Sequence, residues 1–562
     1  MIHSAIVTRT ANIAWFAERA AAERPDAVAV AVPAGRDRSG RLTYAQLRNR
    51  ELHERAARIA RGLEGSGIGR GVRTVLMVRP GLDLTCLVFG MLRAGAVPVL
   101  IDPGIGRRHL KRCIEDAEPE AFIGVPSAQL ARLAFSWGGR TVRRRVTVGS
   151  RVVGLGPTLA DIERLGERLG PGEPAVTAAD EIAAIVFTSG STGPPKGVVY
   201  RHANFAAQIE ALRDLLDPRP GAVNLPTFPL FALFDPALGM TSVIPDMDPT
   251  RPARVDPRRI IEPIQDLGVS VMFGSPALLD AVGRYGVAHS VRLPTLRTVL
   301  SAGAPVSPQI IERFSSLLAA DARIETPYGA SEALPVASIS SCEILADTRH
   351  GTDRGAGVCV GRPVPSISLE VIRVTDEPIA TWDERLRVAD GGVGEIVVKG
   401  PQVTDAYFHA PHHDRLAKIR DADGAIRHRM GDLGYLDGSG RLWFVGRKAH
   451  RVVTPDGPLD TIPCEGVFNT HPAVKRSALV GVELGGATVP VLVVELEAGA
   501  RRGNRAAIVA ELLAIAAAHG HTRAIRRVLF HRAFPVDVRH NAKIGRERLA
   551  RWARTMLRGS AE

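Results

Sequence analysis

Four hydroxyl side chains and two glycines precede a single lysine in the segment FTSGSTGPPKGVV, residues 187–199. Glycine lets backbone N–H groups approach an anion, hydroxyl groups add hydrogen-bond donors, and lysine adds a compact positive charge. The segment therefore predicts a phosphate-binding loop. The residues predicted to form it are Thr188, Ser189, Gly190, Ser191, Thr192, Gly193 and Lys196.

This loop differs from a Walker A loop. Pro195 stands where a glycine should precede the lysine, and Gly197 stands where Ser or Thr should follow it. A flexible surface turn is the alternative interpretation, but Pro194 and Pro195 stiffen the segment as a plain linker would not need.

Lysine is scarce in this chain, and this scarcity strengthens the prediction that Lys196 binds phosphate. Only seven of the 72 Lys and Arg residues are lysine. Arginine thus supplies positive charge at most positions, and a lysine indicates a site that needs a compact point charge. Lys196 and Lys543 are two of the seven.

The elements that must position these residues follow an α/β pattern. The loop comes directly after EIAAIVF (181–187), an apolar run typical of a buried strand. Helical spacing over residues 43–68 predicts a helix, and RTVLMVRP (73–80) predicts the strand after it. Such alternation through about the first four hundred residues indicates parallel or mixed sheets covered by helices.

A second, smaller α/β pattern follows Gly446. It runs as helix, strand, strand, Ala-rich helix and strand, and it spans an ordinary domain size. We therefore expect two domains, residues 1–446 and 447–562.

Composition excludes several classes of protein. The net charge of +13 comes from scattered basic residues without aromatic stacking partners, so a nucleic-acid partner is not expected. Five cysteines without CxxC spacing indicate neither a disulfide framework nor a zinc site. Arg93, Gly95 and Pro98 divide the most apolar stretch, 84–101, into a helix, a turn and a strand rather than a transmembrane span. The N-terminal segment has no signal-peptide pattern, which favours a cytoplasmic protein.

The loop and several later segments together resemble the acyl-adenylate-forming superfamily, which includes acyl-CoA synthetases, luciferases and the adenylation domains of peptide synthetases. The motifs occur in that superfamily's order over nearly the whole chain. Besides the loop, they are AGAVPVLIDP (94–103), LSAGAPVS (300–307), YGASE (328–332), MGDLGYLDGSGRLWFVGR (430–447), PCEGVFNTHPAV (463–474) and NAKIGRERL (541–549).

The resemblance implies a fold, a cofactor set and roles for individual residues. The fold would be a large N-terminal domain with a small, mobile C-terminal α+β domain. ATP would be bound by the loop residues above together with Gly303, Ala304, Tyr328, Gly329, Ser331 and Asp432. Glu332 and Thr188 would hold Mg²⁺, and Arg447 would reach the ribose or phosphate at the domain junction.

Lys543 is implied to carry the first chemical step. In that step a substrate carboxylate attacks the α-phosphorus of ATP and pyrophosphate leaves, so negative charge develops on the oxygens between the reactants. A cation delivered by the small domain stabilises that charge. A solvated lysine at a helix start is the alternative.

The chain departs from the superfamily at three places, and two of them, the gate and the hinge, are parts that the superfamily uses for thioester formation. Ala232 takes the place of a histidine or aromatic residue near the thiol tunnel, and Ala449, preceded by Lys448, takes that of an Asp or Lys at the hinge. RHNAK (539–543) replaces the usual ending. With these departures the chain resembles the β-lactone synthetases of bacterial long-chain olefin biosynthesis.

That resemblance implies adenylation of a 2-alkyl-3-hydroxy fatty acid. Attack by the substrate's own 3-hydroxyl on the acyl carbon would then release AMP and close a four-membered lactone, since an internal nucleophile needs no second substrate. It also implies a condensing enzyme, a reductase and a β-lactone decarboxylase as pathway partners. A long-chain acyl-CoA ligase is the alternative activity, and a non-catalytic scaffold is disfavoured because Glu332, Asp432 and Lys543 are all present.

Two features of this reaction stay open from the sequence. The base for the 3-hydroxyl has only positional candidates, His202, His450 and His540, and the sequence favours a surface histidine at each of these positions. The acyl chain would lie among apolar residues that suit either a pocket or a plain core. These residues are Phe228, Phe231, Phe234 and Phe273.

Overall fold

The computed structural model describes residues 12–102, 105–187, 195–537 and 543–558. The predicted phosphate-binding residues 188–193 lie outside these ranges, and so does His540. Among the helices within these ranges, none is long and apolar enough to cross a membrane.

Helices and strands alternate through the first part of the chain and build a six-stranded sheet. In chain order the elements are α1 (Trp15–Glu23), β1 (Val28–Arg36), β2 (Leu42–Arg48), α2 (Asn49–Gly65), β3 (Arg73–Met77), α3 (Leu82–Arg93), β4 (Val97–Ile101), α4 (Arg107–Ala117), β5 (Ala121–Gly124), α5 (Pro126–Ala134), β6 (Arg144–Thr147), α6 (Leu159–Leu169), β7 (Ile182–Phe187) and β8 (Gly197–Arg201). The strand order is β6-β5-β3-β4-β7-β8, and the neighbouring pairs are parallel except for β7 and β8.

The helix predicted from residue 43 begins later than expected. Residues Leu42–Arg48 form β2, which pairs antiparallel with β1, and α2 starts at Asn49. The prediction was wrong for these first residues because strand pairing with β1 outweighs their helical spacing.

A seven-stranded sheet combines β1 and β2 with the next part of the chain. Its further elements are α7 (His202–Leu216), β9 (Val223–Pro226), α8 (Asp235–Leu238), β10 (Thr241–Val243), α9 (Arg258–Leu267), β11 (Val271–Phe273), α10 (Pro276–Ala288), β12 (Thr298–Leu300), α11 (Pro308–Ser315) and β13 (Arg323–Glu325). The order is β13-β12-β11-β9-β10-β1-β2, with β9 to β13 parallel. The carboxyl ends of β9, β11, β12 and β13 therefore meet at one edge, where α/β proteins bind ligands.

A third sheet is antiparallel and carries the second half of the predicted nucleotide site. Its elements are β14 (Tyr328–Ala330), β15 (Ala333–Ser338), α12 (Ser341–Glu343), α13 (Arg349–Asp353), β16 (Val358–Pro363), β17 (Ser368–Ile372), β18 (Gly394–Lys399), α14 (Pro411–Ala417), β19 (Lys418–Arg420), β20 (Ile426–Leu436) and β21 (Leu442–Arg447). The strand order is β14-β15-β16-β21-β20-β18-β17, with β19 beside β20.

The last part of the chain builds its own small sheet and core. Its elements are β22 (Val452–Thr454), β23 (Gly457–Leu459), α15 (Thr461–Phe468), β24 (Val474–Leu484), β25 (Ala487–Leu496), α16 (Arg505–Ala518), β26 (Arg527–Phe530) and α17 (Arg546–Arg558). Alternate residues of β25 face two apolar clusters, Leu492 packing with Leu512 and Val491 with Leu549. Arg546 binds the buried Glu465 carboxylate at 2.9 Å, which ties α17 to α15.

Candidate active site

One large cavity of about 640 Å³ lies where the sheets and the last part of the chain meet. Its wall contains both polar and apolar residues that the sequence predicted for the site. The residues predicted to bind ATP or to act in catalysis that line the cavity are Lys196, Gly303, Gly329, Ser331, Glu332, Arg447 and Lys543. The apolar ones are Phe228, Phe231, Phe234 and Phe273.

Lys196 and Glu332 share one aromatic neighbour, Tyr407. The Tyr407 hydroxyl donates a hydrogen bond to Glu332 Oε1 at 2.8 Å, and the Lys196 ammonium lies 5.1 Å from the centre of the Tyr407 ring. Burial lowers the pKa of Lys196, and the nearby Glu332 carboxylate opposes that shift. A cation and a carboxylate held together in this way suit a phosphate chain with its counter-ion.

Lys418 is a second cation beside Tyr407. Its ammonium lies 5.4 Å from the Tyr407 ring centre and donates to the Thr404 carbonyl oxygen at 2.5 Å. Burial lowers the pKa of Lys418 to about 8, while Glu332 and Asp414 oppose the shift. The sequence analysis did not single out Tyr407 or Lys418, because neither belongs to a quoted motif and only folding brings them to Glu332.

Asp432 and Tyr328 lie just behind the cavity wall. The Tyr328 hydroxyl donates to Asp432 Oδ2 at 2.9 Å, and Arg447 Nε lies 3.4 Å from Asp432 Oδ1. Burial raises the pKa of Asp432, and Arg447, Tyr328 and Lys543 act in the opposite direction. Burial also raises the pKa of Tyr328, which keeps its hydroxyl protonated as a donor.

Lys543 reaches the cavity from the last part of the chain. Its backbone N–H donates to Asp537 Oδ1 at 2.9 Å, and Asp537 N–H donates to the Lys543 carbonyl at 2.9 Å. These two hydrogen bonds fix the backbone of Lys543, and the charge of its side chain lowers the pKa of Asp432. Lys543, Lys196 and Glu332 therefore border one cavity, although they are far apart in sequence.

Three of the other residues predicted to bind ATP differ in their position relative to the cavity. Gly303 lines the cavity with a φ of 95°, which favours glycine at this turn after β12. Ser331 lines it too, and its carbonyl accepts a hydrogen bond from the Tyr200 hydroxyl. Ala304 is half-buried next to Gly303 and does not belong to the described cavity wall.

The four phenylalanines lie together in the cavity wall, and we call the part of the cavity that they line the apolar arm. The Phe231 ring centre lies 4.5 Å from that of Phe273 and 5.3 Å from that of Phe228. The rings pack edge to face, yet all four residues are in the cavity wall. The four residues therefore pack against one another as core residues do, and they also line the cavity as pocket residues do.

The departures at Ala232 and Ala449 have different surroundings. Ala232 is 2% exposed inside the 3-10 turn Pro229–Phe234 and is not part of the described cavity wall. Ala449 and Lys448 do line the cavity. Lys448 Nζ donates to the Thr375 carbonyl at 2.8 Å and lies 3.2 Å from an Asp376 carboxylate oxygen, so it ties the segment after β21 to the third sheet.

The described histidine candidates lie outside the cavity wall. His202 is buried and accepts a hydrogen bond from the Ile13 N–H at 3.4 Å, and burial lowers its pKa to about 4. His450 Nε2 lies 3.3 Å from a Glu547 carboxylate oxygen, and burial likewise lowers the pKa of His450 to about 4. The described histidines in the wall are His413 and His428, and neither was singled out from the sequence.

A buried carboxyl group in the apolar arm is the other feature that the sequence analysis missed. Asp235 is 1% exposed and lines the cavity together with Asn224. The signal was present, because Asp235 is the one ionisable residue within FPLFALFDPALGM, residues 228–240.

Comparison with known proteins identifies the family. A family model described as AMP-binding enzyme matches residues 17–408, about two thirds of the chain. The chain belongs to the AMP-binding enzyme family. It is an AMP-forming ligase of that family and uses ATP.

Two curated relatives of this AMP-binding enzyme match nearly its whole length. It is 52% identical over 97% of the chain to the olefin beta-lactone synthetase of Xanthomonas campestris pv. campestris, covering 98% of that protein. It is 51% identical over 98% of the chain to the olefin beta-lactone synthetase of Stenotrophomonas maltophilia, covering 99% of that protein.

The fold also matches a solved structure of lower sequence similarity. The anthranilate CoA ligase AuaEII, in complex with anthranoyl-AMP, superposes with a TM-score of 0.79 over 98% of each chain at 18% identity. This likeness confirms the predicted adenylate-forming fold.

Proposed function

We propose that the enzyme activates a long-chain 2-alkyl-3-hydroxy fatty acid as an acyl adenylate and then closes it to a β-lactone with release of AMP. One observation carries this proposal: a single cavity joins Lys543, Lys196 and Glu332 to an apolar arm lined by phenylalanines. The relatives named as olefin beta-lactone synthetases support the choice of product.

In the proposed first step the substrate carboxylate attacks the α-phosphorus of ATP. Lys196 and the loop at 188–193 would bind the departing phosphates, and Lys543 would stabilise the charge that develops on the oxygens between carboxylate and phosphorus. Asp432, held by Tyr328, would accept hydrogen bonds from the ribose, with Arg447 beside it. Gly303, Ala304, Gly329 and Ser331 would border the base.

The residues present fit a magnesium ion bound mainly by the nucleotide. Mg²⁺ commonly takes one or two protein carboxylates and several phosphate oxygens, so the Glu332 carboxylate, oriented by Tyr407, would be a sufficient carboxylate ligand, and Thr188 is the second predicted ligand. The ion would neutralise charge on the phosphates of ATP. Lys196 and Lys418 supply the remaining positive charge around Tyr407.

In the proposed second step the 3-hydroxyl oxygen attacks the acyl carbon of the adenylate. The new C–O bond closes the ring, the bond between the acyl carbon and the phosphate oxygen breaks, and AMP leaves with that electron pair. Because nucleophile and electrophile belong to one molecule, no thiol has to enter. The small Ala449 and the Lys448 contacts with Thr375 and Asp376 are consistent with a hinge that need not rotate for thioester formation.

The proposed organisation follows from this mechanism. Residues 1–446 would form the AMP-binding domain, and residues 447–562 would form the small domain that delivers Lys543. A condensing enzyme and a reductase would supply the substrate, and a β-lactone decarboxylase would consume the product, all in the cytoplasm.

Product analysis tests the proposal. The protein is incubated with ATP, Mg²⁺ and a 2-alkyl-3-hydroxy fatty acid, with and without CoA, and the products are identified by mass. The expected product is a lactone in both samples, while the matched acid without the 3-hydroxyl releases pyrophosphate but yields no lactone. A thioester that forms only with CoA would instead identify an acyl-CoA ligase.

A further inference from the structure

Asp235 places an ionisable group in the apolar arm of the cavity. It is the first residue of α8 and follows directly on the 3-10 turn that carries Phe231 and Phe234. Its side chain is buried, yet the residue belongs to the cavity wall. The first chemical step, as described above, makes no use of this carboxyl group.

The hydrogen bonding of Asp235 is incomplete. Asn224 Nδ2 donates to Asp235 Oδ1 at 2.8 Å. Within the described ranges, Asp235 Oδ2 and Asn224 Oδ1 have no hydrogen-bond partner. Leaving a buried polar atom without a partner is unfavourable, so a pair of such atoms in a cavity wall indicates a polar ligand group that binds there.

The surroundings set the protonation of this carboxyl group. Burial raises the pKa of Asp235 to about 7, and the Asn224 side chain and the nearby Ser242 hydroxyl, whose Oγ makes no hydrogen bond within the described ranges, act in the opposite direction. Two charged side chains reach α8 from the elements around it. Arg24 donates to the Gly239 carbonyl at 2.7 Å and Arg213 to the Ala237 carbonyl at 3.1 Å, so both bind backbone rather than Asp235.

The geometry points to Asp235 as the base that accepts the proton of the substrate's 3-hydroxyl during ring closure. The assignment rests on the proposed function. The proton passes from the 3-hydroxyl to Asp235 Oδ2 as the oxygen bonds to the acyl carbon and AMP departs. Asn224 Oδ1 is available to accept a hydrogen bond from a second polar group or from the protonated carboxyl after transfer.

The two half-reactions are measured separately to test this role. ATP–pyrophosphate exchange reports adenylation, and lactone formed in a single turnover from the enzyme-bound adenylate reports ring closure, from pH 5.5 to 9. We expect Asp235→Asn to keep exchange within about threefold and to slow lactone formation at least ~100-fold, the usual contribution of a general base. Asp246→Asn, an exposed residue beyond β10, is the matched control and should change neither rate.

The pH dependence gives a second, independent readout. The carboxylate is the active form, so ring closure in the wild type should rise with pH through about 7. Asn224→Ala removes the donor that favours the carboxylate, and the midpoint should therefore move to higher pH while the plateau rate is retained. This variant keeps the test decisive if Asp235→Asn does not fold.

The outcomes separate the two claims. Wild-type rates of lactone formation in Asp235→Asn, or an unmoved midpoint in Asn224→Ala, would overturn the role of Asp235 while the β-lactone proposal stands. A wild-type enzyme that forms thioester but no lactone would overturn both.

Discussion

The charged residues around Tyr407 illustrate how one aromatic side chain organises a site. Its hydroxyl orients Glu332, while its ring lies against the ammonium groups of Lys196 and Lys418. The ring's negative face moderates the repulsion between the half-buried Lys196 and the buried Lys418. Three of the seven lysines of this chain, Lys196, Lys448 and Lys543, line the cavity, and Lys418 lies beside Tyr407.

Lys543 is the residue whose removal should affect the first step most. Lys543→Ala removes the cation that we propose to act on the reacting oxygens and leaves Lys196, Arg447 and Asp432, the residues proposed to bind ATP, unchanged. We expect pyrophosphate release to fall by about 10²–10³-fold or more, since single charge-stabilising groups contribute that much. ATP binding, measured by equilibrium dialysis, should stay within about threefold. The exposed Lys111→Ala is the control, and normal pyrophosphate release by Lys543→Ala would remove the residue from the mechanism.

Tyr407 allows a narrower test of the Glu332 assignment. Tyr407→Phe retains the ring beside Lys196 but deletes the hydroxyl that donates to Glu332. Partners of metal ligands usually contribute ten- to a hundredfold in metal affinity, so the Mg²⁺ concentration for half-maximal pyrophosphate release should rise about tenfold. Tyr44→Phe, which removes a surface hydrogen bond to Asp266, serves as the matched variant. An unchanged Mg²⁺ dependence in Tyr407→Phe would contradict the assignment of Glu332.

At the scale of elements, close helix contacts depend on glycine. α2 and α6 cross so tightly that a Cβ on Gly62 would lie 1.9 Å from the Ile162 carbonyl oxygen. Because backbone cannot yield as a side chain can, Gly62→Ala must push the helices apart and should lower the free energy of unfolding by about 3 kcal/mol.

A second helical glycine provides the comparison for urea unfolding. A Cβ on Gly283 in α10 would meet Arg313 Cγ at 3.4 Å, an ordinary contact. Gly283→Ala should therefore be neutral or gain up to about 1 kcal/mol from helix propensity. If Gly62→Ala and Gly283→Ala lowered the free energy of unfolding equally, the close α2–α6 contact would not explain the effect of Gly62→Ala.

Which elements can be predicted from sequence depends on how local their determinants are. The helix, turn and strand of residues 84–101 follow from their own breakers: α3 ends at Arg93, Gly95 has a φ of 70°, and β4 begins at Val97. The start of α2 was misplaced because β2 exists only through pairing with β1. The positions of Gly303 and Glu332 followed from motifs, whose spacing encodes the loops after β12 and β14.

The remaining site residues depend on contacts between distant parts of the chain. Asp235 acquires its properties from Asn224, which lies on a different element, and from burial. Tyr407 and Lys418 come to Glu332 through the third sheet. Spacing along the chain does not encode such meetings, so these residues became visible only in the folded molecule.

At the scale of the whole molecule, we propose that the orientation of residues 447–562 relative to the rest of the chain decides which second step is possible. The structure brings Lys543 to the cavity, and Arg284 of α10 lies 3.5 Å from Glu497, which follows β25. If ring closure needs no second orientation of residues 447–562, the enzyme should complete the reaction when these residues are held in the orientation seen here. A CoA-dependent ligase would need its domain to rotate.

A chemical cross-link tests this requirement. Arg284→Cys and Glu497→Cys, in a Cys342→Ser background, are joined by a short bifunctional thiol reagent. We expect pyrophosphate release and lactone formation to stay within about threefold of the uncrosslinked protein, as chemistry in this orientation is unimpeded. Single-cysteine variants treated with the reagent are the controls. Retained pyrophosphate release with loss of lactone would show that a second orientation is needed.

Isotope transfer tests the central claim most directly. The 2-alkyl-3-hydroxy acid is labelled with ¹⁸O in both carboxylate oxygens and converted with ATP and Mg²⁺ in the absence of CoA. Adenylation of the carboxylate followed by attack of the 3-hydroxyl predicts one ¹⁸O in AMP and one in the lactone. A lactone that retains both labels, with unlabelled AMP, would show that the hydroxyl rather than the carboxylate is activated and would contradict the account.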